Sequence, residues 1–128
     1  MSGDVLKFHV EINDDKLQRV LANIADEATM TEIHNLFAKT IDPWVPYLEG
    51  PLSQTLEITP EYVQYKQPYA HYQYYGEGFN HTTDYHPLAS AKWDQAAMQT
   101  QRESFLEQVK QILQRRQQEL WQQTRTNQ

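Results

Sequence analysis

Residues 6–24 read LKFHVEINDDKLQRVLANI, and the hydrophobic period of this segment changes half-way along it. Up to Ile12 every second residue is apolar, which is the pattern of a half-buried strand. Residues 13–15, Asn-Asp-Asp, then offer a side-chain cap and negative charge for the start of a helix. From Leu17 onward the apolar residues follow helical spacing. A strand that leads directly into an amphipathic helix predicts a mixed α and β fold.

The helical pattern continues to Ile41, because no glycine or proline interrupts the chain before Pro43. We therefore predict one long N-terminal helix of about 27 residues. Its apolar stripe makes a five-residue step between Ala28 and Ile33, which breaks the regular spacing. The helix is expected to bend, or to change its packing partner, near residues 29–31.

Two short strands are predicted at residues 56–59 and 62–66, which are rich in β-branched and aromatic residues. With the first strand they would form a small antiparallel sheet. The proline-rich segment 42–55 is predicted as an ordered loop, with a short helical turn after Pro51. Residues 68–76, PYAHYQYYG, predict a short aromatic helix bracketed by proline and glycine.

The last part of the chain has a helical pattern for more than 30 residues from Ser90. Its apolar stripe weakens after Leu113, so residues 114–128 are predicted as an extended or frayed helix end. Residues 1–128 are therefore predicted as a single α+β domain. In it, a small antiparallel sheet packs with a long N-terminal helix, a short aromatic helix and a long C-terminal helix.

The composition excludes several classes of protein. The 128 residues include 11 basic and 17 acidic residues, for a net charge of −6, and no cysteine. Without thiols there is no disulfide, iron–sulfur cluster, thiolate nucleophile or zinc finger. No apolar run approaches the roughly 20 residues of a membrane span, the start does not resemble a signal peptide, and the acidic average argues against coating nucleic acid. We expect a soluble intracellular domain.

The charge is distributed unevenly along the chain. Residues 92–128 contain six basic and four acidic residues, for a net charge of +2, so the rest of the chain carries −8. The same segment holds eleven of the 16 glutamines, and seven of the eight tyrosines lie between residues 62 and 85. The chain therefore divides into an acidic body and a mildly basic, glutamine-rich helix.

Few residue patterns indicate catalysis. Residues 76–78, Gly-Glu-Gly, lack the remainder of a phosphate-binding loop, and no serine lies in a nucleophile elbow. The best enzymatic candidates are His71, His81, Asp84 and His86, because imidazole and carboxylate groups bind divalent metals. Their spacing matches no established metal motif, and histidines in polar loops are more often solvated than bound to a metal. No metal or cofactor is predicted from them.

Aromatic residues are the main candidates for protein contacts. Tyrosines supply large amphipathic contact areas at interfaces, although they could instead cover a small sheet. An exposed Leu-Trp pair near the end of a polar helix indicates either a partner surface or a frayed terminus. The interface candidates are Tyr69, Tyr72, Tyr74, Tyr75, Phe79, Leu120 and Trp121.

Three segments in order along the chain carry a family resemblance. They contain Pro46, Gly50, Leu52 and Ser53, then Pro68, Tyr69, Ala70, Tyr74 and Gly76, and finally His86, Pro87 and Trp93. The central segment resembles the P-Y-A-x-x-x-Y-x-G signature of minor capsid proteins from tailed bacteriophages and prophages. Members of this family belong to the head–tail neck, or connector.

The resemblance implies a structural protein with a small α+β fold and no catalytic activity, cofactor or metal. It implies a homo-oligomer in the virion neck, assembled in the bacterial host cytoplasm, with portal, neck or tail-completion proteins as partners. Membranes and sequence-specific nucleic acid are not expected partners. The alternatives are a small metal-assisted enzyme or ligand-binding domain that uses the histidine region, and a host protein–protein adaptor.

Overall fold

The computed structural model describes residues 6–10, 12, 14–24, 26–45, 47–48, 50–51, 56–66, 74–75 and 92–126. In chain order the elements are β1 (Leu6–Phe8), α1 (Asp15–Ile24), α2 (Glu27–Ile41), a 3-10 turn (Asp42–Trp44), β2 (Tyr47–Leu48), β3 (Gly50–Pro51), β4 (Leu56–Ile58), β5 (Val63–Tyr65) and α3 (Trp93–Thr126). These elements confirm the predicted α+β class, with a small antiparallel sheet and a long C-terminal helix. No helix in the described ranges is long and apolar enough to cross a membrane.

The main sheet has the strand order β1-β5-β4, and both pairs are antiparallel. Leu6 lies opposite Tyr65, and Phe8 lies opposite Val63, with all four side chains buried. Between them Lys7 is exposed, as the two-residue period of a strand requires. The three predicted strands are therefore confirmed, and one face of the sheet covers the core.

The opposite face of the sheet is polar, and its side chains contact one another. The ammonium group of Lys7 lies 4.6 Å from the ring centroid of Tyr62, and the Tyr62 hydroxyl donates to Glu57 at 2.9 Å. Lys66 forms an ion pair with the same carboxylate at 2.8 Å, and these contacts hold the pKa of Glu57 below its ordinary value. This pattern is typical of an antiparallel sheet with one solvated face.

The prediction of one long N-terminal helix is wrong, because α1 ends at Ile24 and a second helix begins at Glu27. Asp26 has an extended backbone, and its carboxylate accepts a hydrogen bond from the Thr29 amide at 2.7 Å. Asp26 is thus an N-cap, and it starts α2 where the chain has neither glycine nor proline. The helix start after residues 13–15 was predicted correctly, since Asp14 accepts from the amide of Leu17 at 3.0 Å.

Helix α3 is about 51 Å long and packs antiparallel to α2. The rings of Phe37 and Phe105 are 6.0 Å apart near one end of the pair, and Glu32 bonds Arg115 nearer the other. The helix remains regular to Thr126, beyond the point where its apolar stripe weakens. The buried apolar residues of the core are Leu6, Phe8, Ile12, Leu17, Ile33, Phe37, Ala38, Ile41, Val45, Val63, Tyr65, Tyr74, Trp93, Ala97, Phe105, Val109 and Leu113.

Candidate functional site

A cluster of aromatic rings lies where the sheet meets the start of α3. Trp93 is fully buried, and its ring centroid lies 5.0 Å from that of Tyr74 and 5.4 Å from that of Tyr65. Phe8 of β1 contacts Tyr74 at 5.4 Å. These rings meet edge to face, the arrangement that aligns their quadrupoles favourably. Two residues of the family motif, Tyr74 and Trp93, therefore pack against each other in the core.

Tyr74 also determines where α3 begins. Its carbonyl accepts a hydrogen bond from the Lys92 amide at 2.8 Å, and its hydroxyl donates to the carboxylate of Asp94. Lys92 has a φ of 45°, which is uncommon for a residue other than glycine, and the helix starts at the next residue. Burial, together with the neighbouring Asp94, raises the pKa of the Tyr74 hydroxyl, so this hydroxyl stays a donor.

Tyr74 and Tyr75 have opposite environments, although they are adjacent. Tyr74 is 6% exposed and Tyr75 is 56% exposed, and both lie in a helical turn. Tyr74 was predicted as an interface candidate, but its ring contacts place it in the core of the subunit. Tyr75 is the exposed member of the pair, and its ring contacts that of Tyr74.

A second contact joins α3 to the connection between α1 and α2. The Arg116 guanidinium binds Asp26 Oδ2 through Nε at 2.9 Å and Nη2 at 2.7 Å, and it binds Glu119 at 3.0 Å. Arg115 bonds both carboxylate oxygens of Glu32. Hydrogen bonds from Thr29, and then from Arg116, lower the pKa of Asp26 to about 2. The acidic partners of these two arginines therefore lie within the same chain.

The segment beyond this contact, residues 117–126, is termed the distal helix. It continues α3 for ten residues, or about 15 Å. Leu120 is partly buried and packs against the core, whereas Trp121 is 61% exposed. Of the two apolar residues that were predicted as interface candidates at this helix end, Leu120 therefore packs against the core and Trp121 is exposed.

Many of the predicted site residues lie outside the described ranges. The residues outside these ranges are Pro46, Leu52, Ser53, Pro68, Tyr69, Ala70, His71, Tyr72, Gly76, Phe79, His81, Asp84, His86 and Pro87. Gly50 lies inside them, as part of β3, where its backbone pairs with Leu48. Among the residues that the structure does describe, no group of three or more histidine, aspartate or glutamate side chains could hold a metal ion.

His34 is a buried polar residue that the sequence analysis missed. It is 2% exposed, and its Nδ1 lies 3.0 Å from the Met30 carbonyl while its Nε2 accepts from the Val10 amide at 3.4 Å. The ring thus joins α2 to the segment that follows β1. Burial lowers the pKa of His34, as expected for an imidazole whose Nε2 serves as an acceptor. Its position next to Ile33 in the apolar stripe is the one signal that could have identified it.

A family model described as "Minor capsid protein" matches residues 6–116. The match includes the loop, aromatic and histidine–tryptophan segments, and it ends at the arginine that binds Asp26. No curated protein and no solved structure matches the chain. Because the family match covers most of its length, this chain belongs to the minor capsid protein family, whose members are structural, virion-associated proteins of phages.

Proposed function

We propose that this chain is a structural protein of the head–tail connector, or neck, and acts in joining the DNA-filled head to the tail during virion assembly. The observation that carries the proposal is the position of the family motif in the fold. Tyr74 and Trp93 fill the core, so these two motif residues maintain the fold. A motif whose residues maintain the core suits a structural protein, which functions through its folded shape.

The attachment of α3 supports a role in transmitting contacts between partners. The helix is held at its start by Tyr74, in its first half by Phe37 and about two thirds of the way along by Asp26. Contacts at three levels favour a rigid helix, and a rigid subunit loses less conformational freedom when it binds. This is an advantage in a connector that positions one large assembly on another.

Two exposed aromatic side chains supply candidate partner contacts. Among the described residues, the large hydrophobic side chains that remain exposed are Tyr75 and Trp121, and Tyr and Trp are enriched in the energetically dominant parts of interfaces. They lie at different ends of α3, so they can meet different neighbours. Further copies of this chain, the portal and tail-completion proteins are the proposed neighbours. We propose no catalytic role.

Gold-labelled antibody against this chain, applied to purified virions, tests the proposed location. Labelling at the junction of head and tail, with several copies of the chain per virion by quantitative mass spectrometry, is the expected result. Labelling on the capsid shell or the tail tip, or absence of the chain from virions, would overturn the proposal. Antibody against the major capsid protein serves as the control for accessibility.

A further inference from the structure

The main sheet has two edges beyond which, in the described part of the chain, no further strand is paired. β1 forms one edge and β4 forms the other, and both pair with the central strand β5. An edge strand presents a row of backbone N–H and C=O groups that can pair with a strand of another chain. The chemistry of the two edges decides which strand each of them can accept.

The register shows which backbone groups point outward at β4. The Thr59 amide donates to the Tyr62 carbonyl at 2.9 Å where β4 turns into β5. Hydrogen-bonded pairs alternate with non-bonded pairs along an antiparallel ladder. The backbone groups of Glu57 therefore point toward β5, whereas those of Leu56 and Ile58 point away from it. Two amides and two carbonyls thus face outward at this edge.

The same alternation applies at β1. Gln64 of β5 lies opposite both Glu57 and Lys7, and its backbone groups point toward Glu57. Lys7 therefore points its own N–H and C=O outward, away from β5. In a parallel pair a residue bonds the two residues that flank its opposite number, so these two groups fit between Leu56 and Ile58 of another copy.

The apolar side chains at the two edges differ in exposure. Leu6 and Phe8 of β1 are buried, whereas Leu56 and Ile58 of β4 are only half-buried. The latter two line an open groove of about 420 Å³ between β4 and α2, together with Ala38. A strand added beside β4, with its own apolar side chains on the same face, would cover this surface.

Charge determines which edge pairs with which. Lys7 and Glu57 lie in one row on the polar face, so each copy presents a lysine at one edge and a glutamate at the other. A two-fold pair of β4 strands that bonds both Leu56 and Ile58 would place Glu57 opposite its own copy. A two-fold pair of β1 strands would do the same with Lys7. Like charges directly opposite each other are destabilising and opposite charges are favourable, so β4 of one copy and β1 of the next are complementary.

We propose that copies of this chain assemble head to tail through a continuous β-sheet, in which β4 of each copy pairs in parallel with β1 of the next. Residues Leu56–Ile58 then lie opposite Leu6–Phe8 of the neighbour. The Lys7 amide donates to the Leu56 carbonyl, and the Ile58 amide donates to the Lys7 carbonyl. The contact rests on the proposed multi-copy connector and names one interface within it.

The strand directions fit this assembly. Within one copy β1 and β4 are parallel to each other, because both are antiparallel to β5. Neighbours that share one strand direction therefore form a parallel pair of β4 and β1, and the apolar and polar faces of the sheet continue from copy to copy. Each copy uses two different edges for two different neighbours, as in a ring or filament.

Cysteine cross-linking tests this contact without background, because the chain contains no cysteine. The double variant Lys7→Cys/Glu57→Cys places one thiol at each edge. Within one chain these positions are separated by β5, so their Cα atoms lie about 9.5 Å apart, whereas a disulfide needs roughly 4–7 Å. Every disulfide therefore joins two chains. The full-length variant is oxidised at high protein concentration and, separately, after incorporation into phage particles.

The double variant is expected to give a ladder of covalent dimers, trimers and larger species on a non-reducing gel. A mixture of the two single variants is expected to stop at dimers, because each copy then has one reactive edge. Each single variant alone is expected to remain monomeric.

Substitutions of Ile58 test the backbone pairing itself. Ile58→Pro, added to the double variant, removes the outward amide and is expected to abolish the ladder. Proline is tolerated in an edge strand where its N–H faces outward, so the fold should be retained. Ile58→Ala is the matched control, since it removes the side chain and keeps the amide, and most of the ladder should remain. Circular dichroism compares the fold of both variants with that of the parent.

Three outcomes overturn the inference: no ladder in either preparation, a ladder that persists with Ile58→Pro, or dimers from a single variant, which would indicate a two-fold contact. The result is separable from the proposed function. A missing ladder together with neck labelling rejects this contact alone. A ladder from a protein that is absent from virions rejects the connector role and supports the contact.

Discussion

Arg116, ten residues before the end of α3, binds the carboxylate of Asp26, which caps the start of α2, with Nη2 2.7 Å from Oδ2. The other carboxylate oxygen, Oδ1, accepts from the Thr29 amide at 2.7 Å. The Asp26 side chain thus caps the start of α2 and also binds Arg116 of α3, which lies 90 residues later in the chain. The break between the helices and the position of α3 are therefore coupled.

Replacing Asp26 tests this coupling. Asp26→Ala removes the cap and the partner of Arg116, and is expected to lower the free energy of unfolding by about 1–2 kcal/mol. Asp26→Asn retains an oxygen that can accept from Thr29 but loses the charge that pairs with Arg116, so a loss smaller than that of Asp26→Ala is expected. Urea titration of the two variants beside the parent measures the difference. Equal stability of Asp26→Ala and the parent would show that the cap is dispensable.

Acid should weaken the same contact. The pKa of Asp26 is lowered to about 2 from its ordinary 3.8, so the folded state favours the charged carboxylate. The stabilisation is present above the ordinary value and is lost as the pH falls from there toward the lowered value. Asp26→Asn does not titrate, so its unfolding midpoint should fall less than that of the parent in this range. Parallel curves for the two proteins would contradict the assignment.

His34 should make the fold sensitive to milder acid. Protonation of Nε2 removes the acceptor for the Val10 amide and places a charge in the core. Because burial lowers the pKa of His34 below 6.5, its stabilisation is complete above that value and declines as the pH falls below it. The thermal midpoint should therefore be lower at roughly pH 5.5 than at pH 7.5.

The variant His34→Gln is expected to show a smaller change between these two conditions. The parent protein, measured under the same two conditions, serves as the reference. Equal pH dependence of the parent and His34→Gln would rule out His34 as the origin.

The adjacent tyrosines offer a matched pair of substitutions. Tyr74→Ala removes a buried ring that contacts Phe8 and Trp93, and is expected to cost about 3 kcal/mol or more. Tyr75→Ala removes an exposed ring that contacts Tyr74 at the edge of the cluster, and is expected to cost less than about 1 kcal/mol. Denaturant titration distinguishes them, and similar losses for both would contradict the placement of Tyr74 in the core.

Truncation separates the distal helix from the Asp26 contact. A chain that ends at Arg116 keeps the arginine that binds Asp26, whereas one that ends at Leu113 loses both Arg115 and Arg116. Both chains keep the buried rows of α3 and are expected to fold, with a lower thermal midpoint for the shorter one. Both should fail to join heads to tails, because each lacks Trp121, a proposed partner contact. Loss of folding after truncation at Arg116 would mean that the distal helix belongs to the core.

The sequence predicts those parts of the fold that are determined by the local spacing of apolar residues. The alternation from Leu6 to Ile12, the helix start at Asp15 and the stripe through Phe105 and Leu113 each follow from burial of one face of an element. This spacing can be recognised in the sequence because it involves only residues that are close together in the chain.

The break at Asp26 does not follow from the hydrophobic period, although Asp is a favoured N-cap residue. Its carboxylate stabilises a helix start jointly with Arg116, and nothing in either local segment indicates that the two residues meet. His34 was missed for a similar reason, since its second partner, Val10, is 24 residues away. The environments of Tyr74 and Tyr75 also depend on tertiary contacts. Site prediction therefore identified the aromatic cluster without separating its core and exposed members.

Phage carrying an amber mutation in the gene for this chain gives the most direct test of the connector role. Infected cells should accumulate DNA-filled heads and separate finished tails in electron micrographs, and purified full-length chain added to the lysate should restore joined, infectious particles. Chain carrying Trp121→Ala should restore fewer than chain carrying Gln114→Ala, which changes another exposed residue of the same helix. Normal yields of joined virions from the amber mutant, or arrest before heads are formed, would contradict the account.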